Sequence, residues 1–159
     1  MESGCCFSGH RDIPPRERAG LERLLDKYID QMADCGRRRF ICGGALGFDT
    51  MAARAVLRAK ARHEGIVLEL AIPYRGVENH RSEADRLEFL DILAQADIAR
   101  CIAENYDKDC MFRRNRYMVD NSDVCICYMT RNSGGTAYTV GYALKNGCEV
   151  INLAVEIDN

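Results

Sequence analysis

The sequence lacks a large excess of charge of either sign and has no long apolar run. Its formal net charge is −2 over 159 residues, so it has no broad cationic field, and any contact with nucleic acid would need a local basic patch. No apolar stretch approaches the length of a membrane span, and no basic leader with an apolar core opens the sequence. We therefore expect a cytoplasmic protein without a membrane partner, and the charge argues against nucleic acid as a ligand.

The sequence also lacks the cysteine spacing of a disulfide framework or a zinc site. Its nine cysteines are an odd number, no two of them form a C-x-x-C pair, and no close Cys or His pair accompanies Cys125 and Cys127. Several cysteines fall in predicted strands, where Cys packs as a small hydrophobe: Cys5, Cys6, Cys42, Cys125 and Cys127. We expect reduced core thiols and no metal site.

Apolar runs alternate with segments of helical period along the chain. Strands are predicted just before Gly43 and at residues 4–8, 66–72, 98–102, 124–128 and 149–153. Helices are predicted between them, at about 49–63 and 109–121, and after Pro14, Ser82 and Ser133. Nearly continuous apolar strands alternating with helices indicate a parallel sheet covered on both faces. We predict a single α/β domain over residues 1–159, a Rossmann-like three-layer sandwich with a mostly parallel sheet and helices on both faces.

Three turns that follow predicted strands carry residue types suited to binding a ligand. They span residues 8–11, 43–49 and 133–136. Ligands of open parallel sheets bind beyond the carboxyl ends of the strands, so we expect the three turns to meet in one crevice. The first turn contributes Ser8, Gly9, His10 and Arg11. Arg11 offers a planar cationic fork and His10 a donor or proton carrier near neutral pH, although a His-Arg pair on a loop is also an ordinary surface feature.

The second turn lies within FICGGALGFDTMAA, at residues 40–53. Gly43, Gly44 and Gly47 have no Cβ, which lets backbone N–H groups come close to an anion. Asp49 follows in the first helical turn, where its carboxylate could accept hydrogen bonds from sugar hydroxyls. The alternative is an ordinary helix start with an acidic residue near the positive end of the helix dipole.

The third turn, Ser133-Gly134-Gly135-Thr136, offers successive N–H donors and two hydroxyls at a junction between strand and helix. This arrangement favours a phosphate cradle, and the alternative is a plain helix cap by Ser133 or Thr136. No lysine-serine pair follows the glycines, which argues against ATP hydrolysis by the P-loop route.

The helix predicted before the fifth strand carries three arginines. Arg114 and Met118 are four residues apart and share a helix face, so an inward Met118 would place Arg114 at the crevice. Arg114 is therefore the arginine that we expect to meet a ligand. Asp120 is a weaker candidate, and Arg114, Asp49 and Asp120 are the candidates for a catalytic role. The loop at residues 74–81 could cover a base or a ribose.

Together these segments resemble the SLOG superfamily of Rossmann-like proteins, and most closely its YpsA-like branch. The resemblance covers nearly the whole chain and rests on SGHRDIP at 8–14, GGALGFDTMAA at 43–53, AIPY at 71–74, and RNRYMVDNSDVCIC at 114–127 followed by SGGT. It implies binding of a nucleotide-derived small molecule, such as ADP-ribose or an NAD-like compound, in a crevice lined by the two glycine turns.

Two groups similar to this sequence imply different activities. In the LOG phosphoribohydrolases, cleavage of nucleoside monophosphates uses an arginine four residues before a methionine and a glutamate three residues after the threonine of a glycine turn. Arg114, Met118 and Thr136 match this pattern, but Thr139 stands at the glutamate position and cannot replace a carboxylate. The DprA group binds single-stranded DNA with a similar turn, whereas this sequence shows no basic groove with interleaved aromatics.

We therefore expect a sensor or carrier of a nucleotide-derived small molecule. One alternative is a nucleotide N-glycoside hydrolase of the LOG type, with Arg114 on the phosphate and Asp49 or Asp120 as the acid. Another is a module that binds single-stranded DNA or another protein. An exposed apolar helix face could pair two copies in a homo-oligomer, but the sequence does not show which face.

Overall fold

A computed structural model describes residues 2–157 of the protein, and strands alternate with helices along them. The strands are β1 (Gly4–Gly9), β2 (Arg39–Cys42), β3 (Val67–Ile72), β4 (Ile98–Cys101), β5 (Ser122–Tyr128) and β6 (Glu149–Asn152). The α-helices are α1 (Pro15–Asp34), α2 (Phe48–Ala59), α3 (Glu83–Gln95), α4 (Cys110–Asp120) and α5 (Gly134–Lys145). Two 3-10 helices lie at Val77–His80 and Leu153–Val155.

The strands form one sheet in the order β4-β3-β2-β1-β5-β6, and every pairing is parallel. The predicted Rossmann-like α/β fold is confirmed, with a sheet that is wholly rather than mostly parallel. The chain adds β2, β3 and β4 on one side of β1 and then crosses to place β5 on the other side. Gly9 lies opposite Tyr128 in the register, so β1 and β5 end together at this topological switch point.

Two hydrophobic layers hold the helices on the sheet. On one face, α1, α2 and α3 pack through residues such as Leu25, Val56 and Phe89. On the other face, Met118 of α4 and Val140 of α5 pack against the strands. The buried strand cysteines take part in both layers, and all nine cysteines are free thiols. Burial raises the pKa of Cys127 to about 12, so this thiol is not a nucleophile near neutral pH.

The structure departs from the sequence prediction at three places. Helix α2 ends at Ala59, and residues 60–63 form turns rather than a last helical turn. The segment predicted as a loop after β3 contains the 3-10 helix Val77–His80. The third departure is a buried charge: Glu69 of the apolar strand β3 is fully buried, accepts a hydrogen bond from the Tyr117 hydroxyl, and pairs with Arg39 Nε at 3.0 Å. A buried carboxylate requires such partners, because desolvation without them is costly.

Within residues 2–157, no helix is both long and apolar enough to cross a membrane.

Candidate functional site

A cavity of about 330 Å³ lies at the switch point, beyond the carboxyl ends of β1 and β5. We call it the switch-point cavity. Its walls come from the turn after β1, the start of α2, the first turns of α4, and the turn that begins α5. Backbone hydrogen bonds join these parts: His10 N–H donates to Tyr128 O, and Phe48 N–H donates to His10 O at 3.1 Å. The three turns expected to converge do contribute residues to this one cavity.

Most of the residues predicted to bind a ligand line the switch-point cavity. They are Ser8, Gly9, His10, Arg11, Asp49, Arg114, Ser133, Gly135 and Thr136. Gly9 also lets α2 approach β1 closely, since a Cβ at Gly9 would lie 2.5 Å from the Phe48 ring. The cavity therefore brings together positions that are more than 100 residues apart in the sequence.

Four predicted glycines do not line the cavity: Gly43, Gly44, Gly47 and Gly134. Gly43 and Gly44 were expected to hold phosphate through their N–H groups, and this expectation is corrected because neither residue lines the cavity. Their carbonyl oxygens accept hydrogen bonds from arginines, Gly43 O from Arg114 and Gly44 O from Arg81. A Cβ at Gly43 would lie 2.8 Å from Asp49 Oδ2 and 2.9 Å from Arg114 Nη1. The absence of a side chain at Gly43 thus lets Asp49 and Arg114 approach each other.

Asp120 lies at the amino end of β5, whereas the cavity lies beyond the carboxyl end of that strand. It is the last residue of α4, next to the start of β5, and its carboxylate accepts a hydrogen bond from the Tyr142 hydroxyl at 2.7 Å. The cavity is at the other end of β5, a strand of seven residues, so about 20 Å separates the two places. Asp120 is therefore removed from the candidate catalytic and ligand-binding residues.

Arg114 is buried at the wall of the cavity with part of its guanidinium group in use. Its Nη1 donates to Gly43 O and to Ala71 O, and its Nε donates to the Asn115 side chain at 2.8 Å. No hydrogen bond within residues 2–157 uses its Nη2. Met118, one turn further along α4, is 2% exposed, so the shared face predicted for these two residues does turn inward.

Asp49 is the buried acidic group of the cavity. Burial raises its pKa to about 6, although the nearby Arg114 charge and a weak hydrogen bond from Ala45 N–H at 3.4 Å act in the opposite direction. Desolvation wins because the carboxylate is almost removed from water. Asp49 can therefore exchange a proton near neutral pH, which an ordinary surface aspartate does not do.

The raised pKa of Asp49 predicts that its ionisation weakens the fold. The folded state binds this proton more tightly than the unfolded chain, where the pKa is near 3.8. The stabilising contribution of Asp49 is therefore complete below pH 4 and is lost as the pH rises to about 6, by on the order of 3 kcal/mol. The Asp49→Asn variant should lack this loss in urea unfolding measured from pH 4 to 7. Parallel pH profiles of the two proteins would contradict the prediction.

The His10 ring is held in its neutral form. Thr130 N–H donates to His10 Nε2 at 2.9 Å, and because a backbone N–H can only donate, the ring proton belongs on Nδ1. Burial and the nearby charge of Arg131 lower the pKa of His10. The expected role as a proton carrier near neutral pH is therefore corrected: His10 joins the ends of β1 and β5 and presents at most one N–H donor to the cavity.

The amino terminus of α5 points unsatisfied donors at the cavity. Among the described residues, no side chain caps this helix, neither Ser133 nor Thr136. Nothing lies within 4 Å of the Cβ position of Gly135, so the backbone there is open to a ligand. The alternative of a plain capped helix start is not observed, and uncapped N–H groups with the helix dipole form an anion-binding feature.

A second cavity of about 340 Å³ adjoins the first, on the side of the loop that follows β3. We call it the loop cavity. Tyr74, His80 and Arg81 line it, and it shares Arg11, Ala45, Met111 and Arg114 with the switch-point cavity. Arg81 is held in place, since its Nη2 donates to Gly44 O at 2.9 Å and its Cζ lies 5.0 Å from the centre of the Phe89 ring.

Four arginines line the two cavities without a carboxylate partner. Within residues 2–157, no ion pair involves Arg11, Arg81, Arg114 or Arg131. Some arginines away from the cavities pair with acids, as Arg54 does with Glu88, and others, such as Arg23, do not, so the distinctive feature is that four such arginines converge on two adjoining cavities. The sequence analysis did not name Arg131, although it lies beside the third turn. It placed Arg81 in the loop that could cover a base or a ribose, but not among the anion-binding residues, because only the path of that loop brings Arg81 to Gly44.

The sequence itself matches a known family over most of its length. The YpsA family model, described as the YspA SLOG family, matches residues 16–152. The chain belongs to the YspA SLOG family. A UPF0398 protein of Halalkalibacterium halodurans is 29% identical over 147 residues, which are 91% of this chain and 75% of that relative. The resemblance to SLOG proteins inferred from the sequence motifs is confirmed.

Solved structures share the fold of this YspA SLOG protein at low sequence identity. The single-stranded DNA-binding DNA processing protein A of Helicobacter pylori superposes with a TM-score of 0.65 at 19% identity, over 93% of this chain. This chain spans only 63% of the Helicobacter protein. A molybdenum cofactor binding protein of Rippkaea orientalis superposes with a TM-score of 0.61 at 20% identity, over 98% of this chain and 82% of that protein. These likenesses show the fold alone.

Proposed function

We propose that the protein binds the phosphate group of a nucleotide-derived small molecule in the switch-point cavity and acts as a sensor or carrier of that molecule. The observation that carries the proposal is the convergence of four arginines on the two adjoining cavities, Arg11, Arg81, Arg114 and Arg131. Arg114 is buried and Arg81 is half-buried, whereas Arg11 and Arg131 are exposed, and Asp49 is the one buried acid among the described residues that line the cavities. An excess of positive charge around a cavity favours an anionic ligand.

The start of α5 supports the same proposal independently of the arginines. Its uncapped first turn directs N–H groups and the positive end of the helix dipole at the cavity. Arg114 and Arg131 line the same cavity, and Nη2 of Arg114 makes no hydrogen bond with any residue from 2 to 157. Two unrelated kinds of anion donor on one cavity favour a phosphate over a neutral group, and the single buried carboxyl of Asp49 suits a sugar hydroxyl.

The side chains support a binding role more than hydrolysis. Thr139 replaces the expected glutamate, is 3% exposed, and donates its hydroxyl hydrogen bond to Gly135 O within α5. It contributes no group to the cavity. A hydrolase of the LOG type remains the second candidate, because Asp49 has a pKa of about 6 at the cavity wall, which suits a general acid. In that mechanism Asp49 would protonate the departing base while Arg114 held the phosphate.

The proposal is tested by calorimetric titration of AMP and adenosine into the protein and the Gly135→Asp variant. An aspartate at position 135 would put a negative charge among the N–H groups that are proposed to donate hydrogen bonds to the phosphate. Because an acidic residue in the first turn of a helix is stabilising, the variant should still form α5. We expect the affinity for AMP to fall at least about tenfold, the effect of one opposed charge-assisted contact. The matched control is Gly141→Asp, on the same helix, at a position where a Cβ also meets open space.

The titrations and a long incubation with AMP separate the candidates. Loss of AMP binding in Gly135→Asp but not in Gly141→Asp supports the phosphate site, and equal affinities in both variants would refute it. Intact AMP after long incubation with the protein supports a sensor or carrier. Release of free adenine and ribose phosphate supports the hydrolase, and an Asp49→Asn variant should then stop the release.

Single-stranded DNA is a further candidate that the cleft charge favours. The expectation against nucleic acid rested on the absence of a basic groove in the sequence, yet four arginines converge in the folded cleft. The Helicobacter protein with the same fold binds single-stranded DNA. Fluorescence anisotropy with a labelled oligothymidylate tests this candidate. Binding that competes with AMP and weakens steeply with salt would support it.

A further inference from the structure

The two cavities of the cleft meet at a common wall. Arg11 and Arg114 belong to the linings of both the switch-point cavity and the loop cavity, together with Ala45 and Met111. Each cavity has a volume near the lower end of small-molecule sites, which span about 300 to 1,000 Å³. One cavity is therefore matched to one nucleoside-sized unit, and the two together to a ligand with two such units joined near the arginines.

The three arginines nearest the common wall repel one another. Burial is the main cause that lowers the pKa of Arg114 and of Arg81. The positive charges of Arg11 and Arg81 lower the pKa of Arg114 further, and the charge of Arg11 lowers that of Arg81 further. The Asp49 carboxyl provides only partial compensation, because burial also favours its neutral form. An anion with more than one charge, placed between these guanidinium groups, would relieve this repulsion.

The loop cavity is also lined by an aromatic and an acidic residue that do not belong to the wall it shares with the switch-point cavity. Tyr74 lines it with a half-buried ring, and this ring packs edge to face against Tyr106 at 5.4 Å between centres. Asp85 also lines the loop cavity, so its carboxylate disfavours a second phosphate far from the wall. An aromatic ring that is braced in this way is a platform on which a flat heterocycle can stack.

We propose that the loop cavity is a second subsite, in which Tyr74 stacks on the distal ring of a pyrophosphate-linked ligand whose two phosphates lie at Arg11 and Arg114. The proximal nucleoside occupies the switch-point cavity. This inference rests on the proposed function, since it requires phosphate at Arg114, and it adds a second subsite and the residue that distinguishes a ligand with two ring systems from a mononucleotide. A mononucleotide fills only the switch-point cavity and gains nothing from Tyr74.

The test uses calorimetric titrations of AMP and diadenosine pyrophosphate into the protein and its Tyr74→Leu variant. Leucine keeps an apolar side chain and removes the stacking ring. We expect diadenosine pyrophosphate to bind at least about tenfold more tightly than AMP, and Tyr74→Leu to weaken the dinucleotide about tenfold, as the loss of one stacked base does. Affinity for AMP should stay within about twofold, which also shows that the variant is folded.

The matched control is the Tyr142→Leu variant. Tyr142 is a half-buried tyrosine of α5, and its hydroxyl donates a hydrogen bond to Asp120 at the end of β5 that is far from the cavities. The variant should leave the affinities for both ligands unchanged. If AMP binds but diadenosine pyrophosphate binds no more tightly and Tyr74→Leu changes neither affinity, the second subsite is refuted while the phosphate site stands. If neither ligand binds, both proposals fail. A 3′,5′-linked adenine dinucleotide that binds as tightly as the pyrophosphate would overturn the pyrophosphate linkage.

Discussion

Replacement of Gly47 by alanine is expected to destabilise the protein by about 3 kcal/mol or more. Gly47 precedes α2 with φ 76° and ψ −120°, a region that residues with a Cβ avoid at a cost of about 1–2 kcal/mol. A Cβ there would also lie 2.1 Å from Arg11 O. That oxygen belongs to the backbone, so no side-chain rotation can relieve the overlap, and the turn after β1 would have to move.

The control for Gly47 is Gly36→Ala, because Gly36 has φ 91° but open space at its Cβ position. It should lose only the conformational part, about 1–2 kcal/mol. Urea unfolding followed by circular dichroism measures both free energies of unfolding. Similar losses in the two variants would show that the close approach of Gly47 to Arg11 does not matter. A Gly47→Ala protein that fails to fold, beside a folded Gly36→Ala protein, would agree with the prediction.

Replacement of Arg114 by alanine is expected to lower the free energy of unfolding by about 3–5 kcal/mol, because two carbonyl groups lose a buried donor and the buried Asp49 carboxylate loses a nearby positive charge. The variant loses the hydrogen bonds to Gly43 O and Ala71 O, and it leaves Asp49 buried without its nearest cation. Asp49 should respond by holding its proton to a higher pH, so the loss should be smaller at pH 5 than at pH 8.

The neighbouring arginine of α4 provides the control for Arg114. Arg113 pairs with Asp107 at 2.6 Å, and both side chains are more than 40% exposed. Such surface pairs contribute about 0–1 kcal/mol, so Arg113→Ala should be nearly neutral in urea unfolding. Equal losses for Arg113→Ala and Arg114→Ala, or a loss for Arg114→Ala that does not vary with pH, would remove the link between Arg114 and Asp49.

The glycine turns show which features of the site the local sequence predicts and which it does not. Glycines after β2 and β5 correctly marked the two strand ends that border the cleft, because only residues without a Cβ allow such sharp reversals. Their individual roles were not readable. Gly43 serves the approach of Asp49 to Arg114, a residue 71 positions away, and Gly135 faces open space. The spacing of glycines in the sequence does not show whether a given glycine lets two side chains approach each other or leaves the backbone open to a ligand.

The sequence also did not predict which charged side chains are buried. The residues of β3 were interpreted as an apolar strand, yet Glu69 is buried among Arg39, Arg100 and Tyr117. Each partner comes from a different element, so no local pattern marks the group as satisfied. Asp120 is a similar case. The sequence made it a candidate site residue, but the structure places it at the end of β5 that is far from the cavity.

The sequence by itself determined the order of strands and helices, the parallel sheet, the SLOG family and the turns that follow β1, β2 and β5. These depend on hydrophobic period and on backbone conformations that neighbouring residues set. Only the tertiary structure decided which arginines remain unpaired and which acid is buried beside them. Most ion pairs among the described residues join positions about 30 to 90 apart in the chain. Whether a charge is neutralised therefore depends on distances through space that the chain order does not contain.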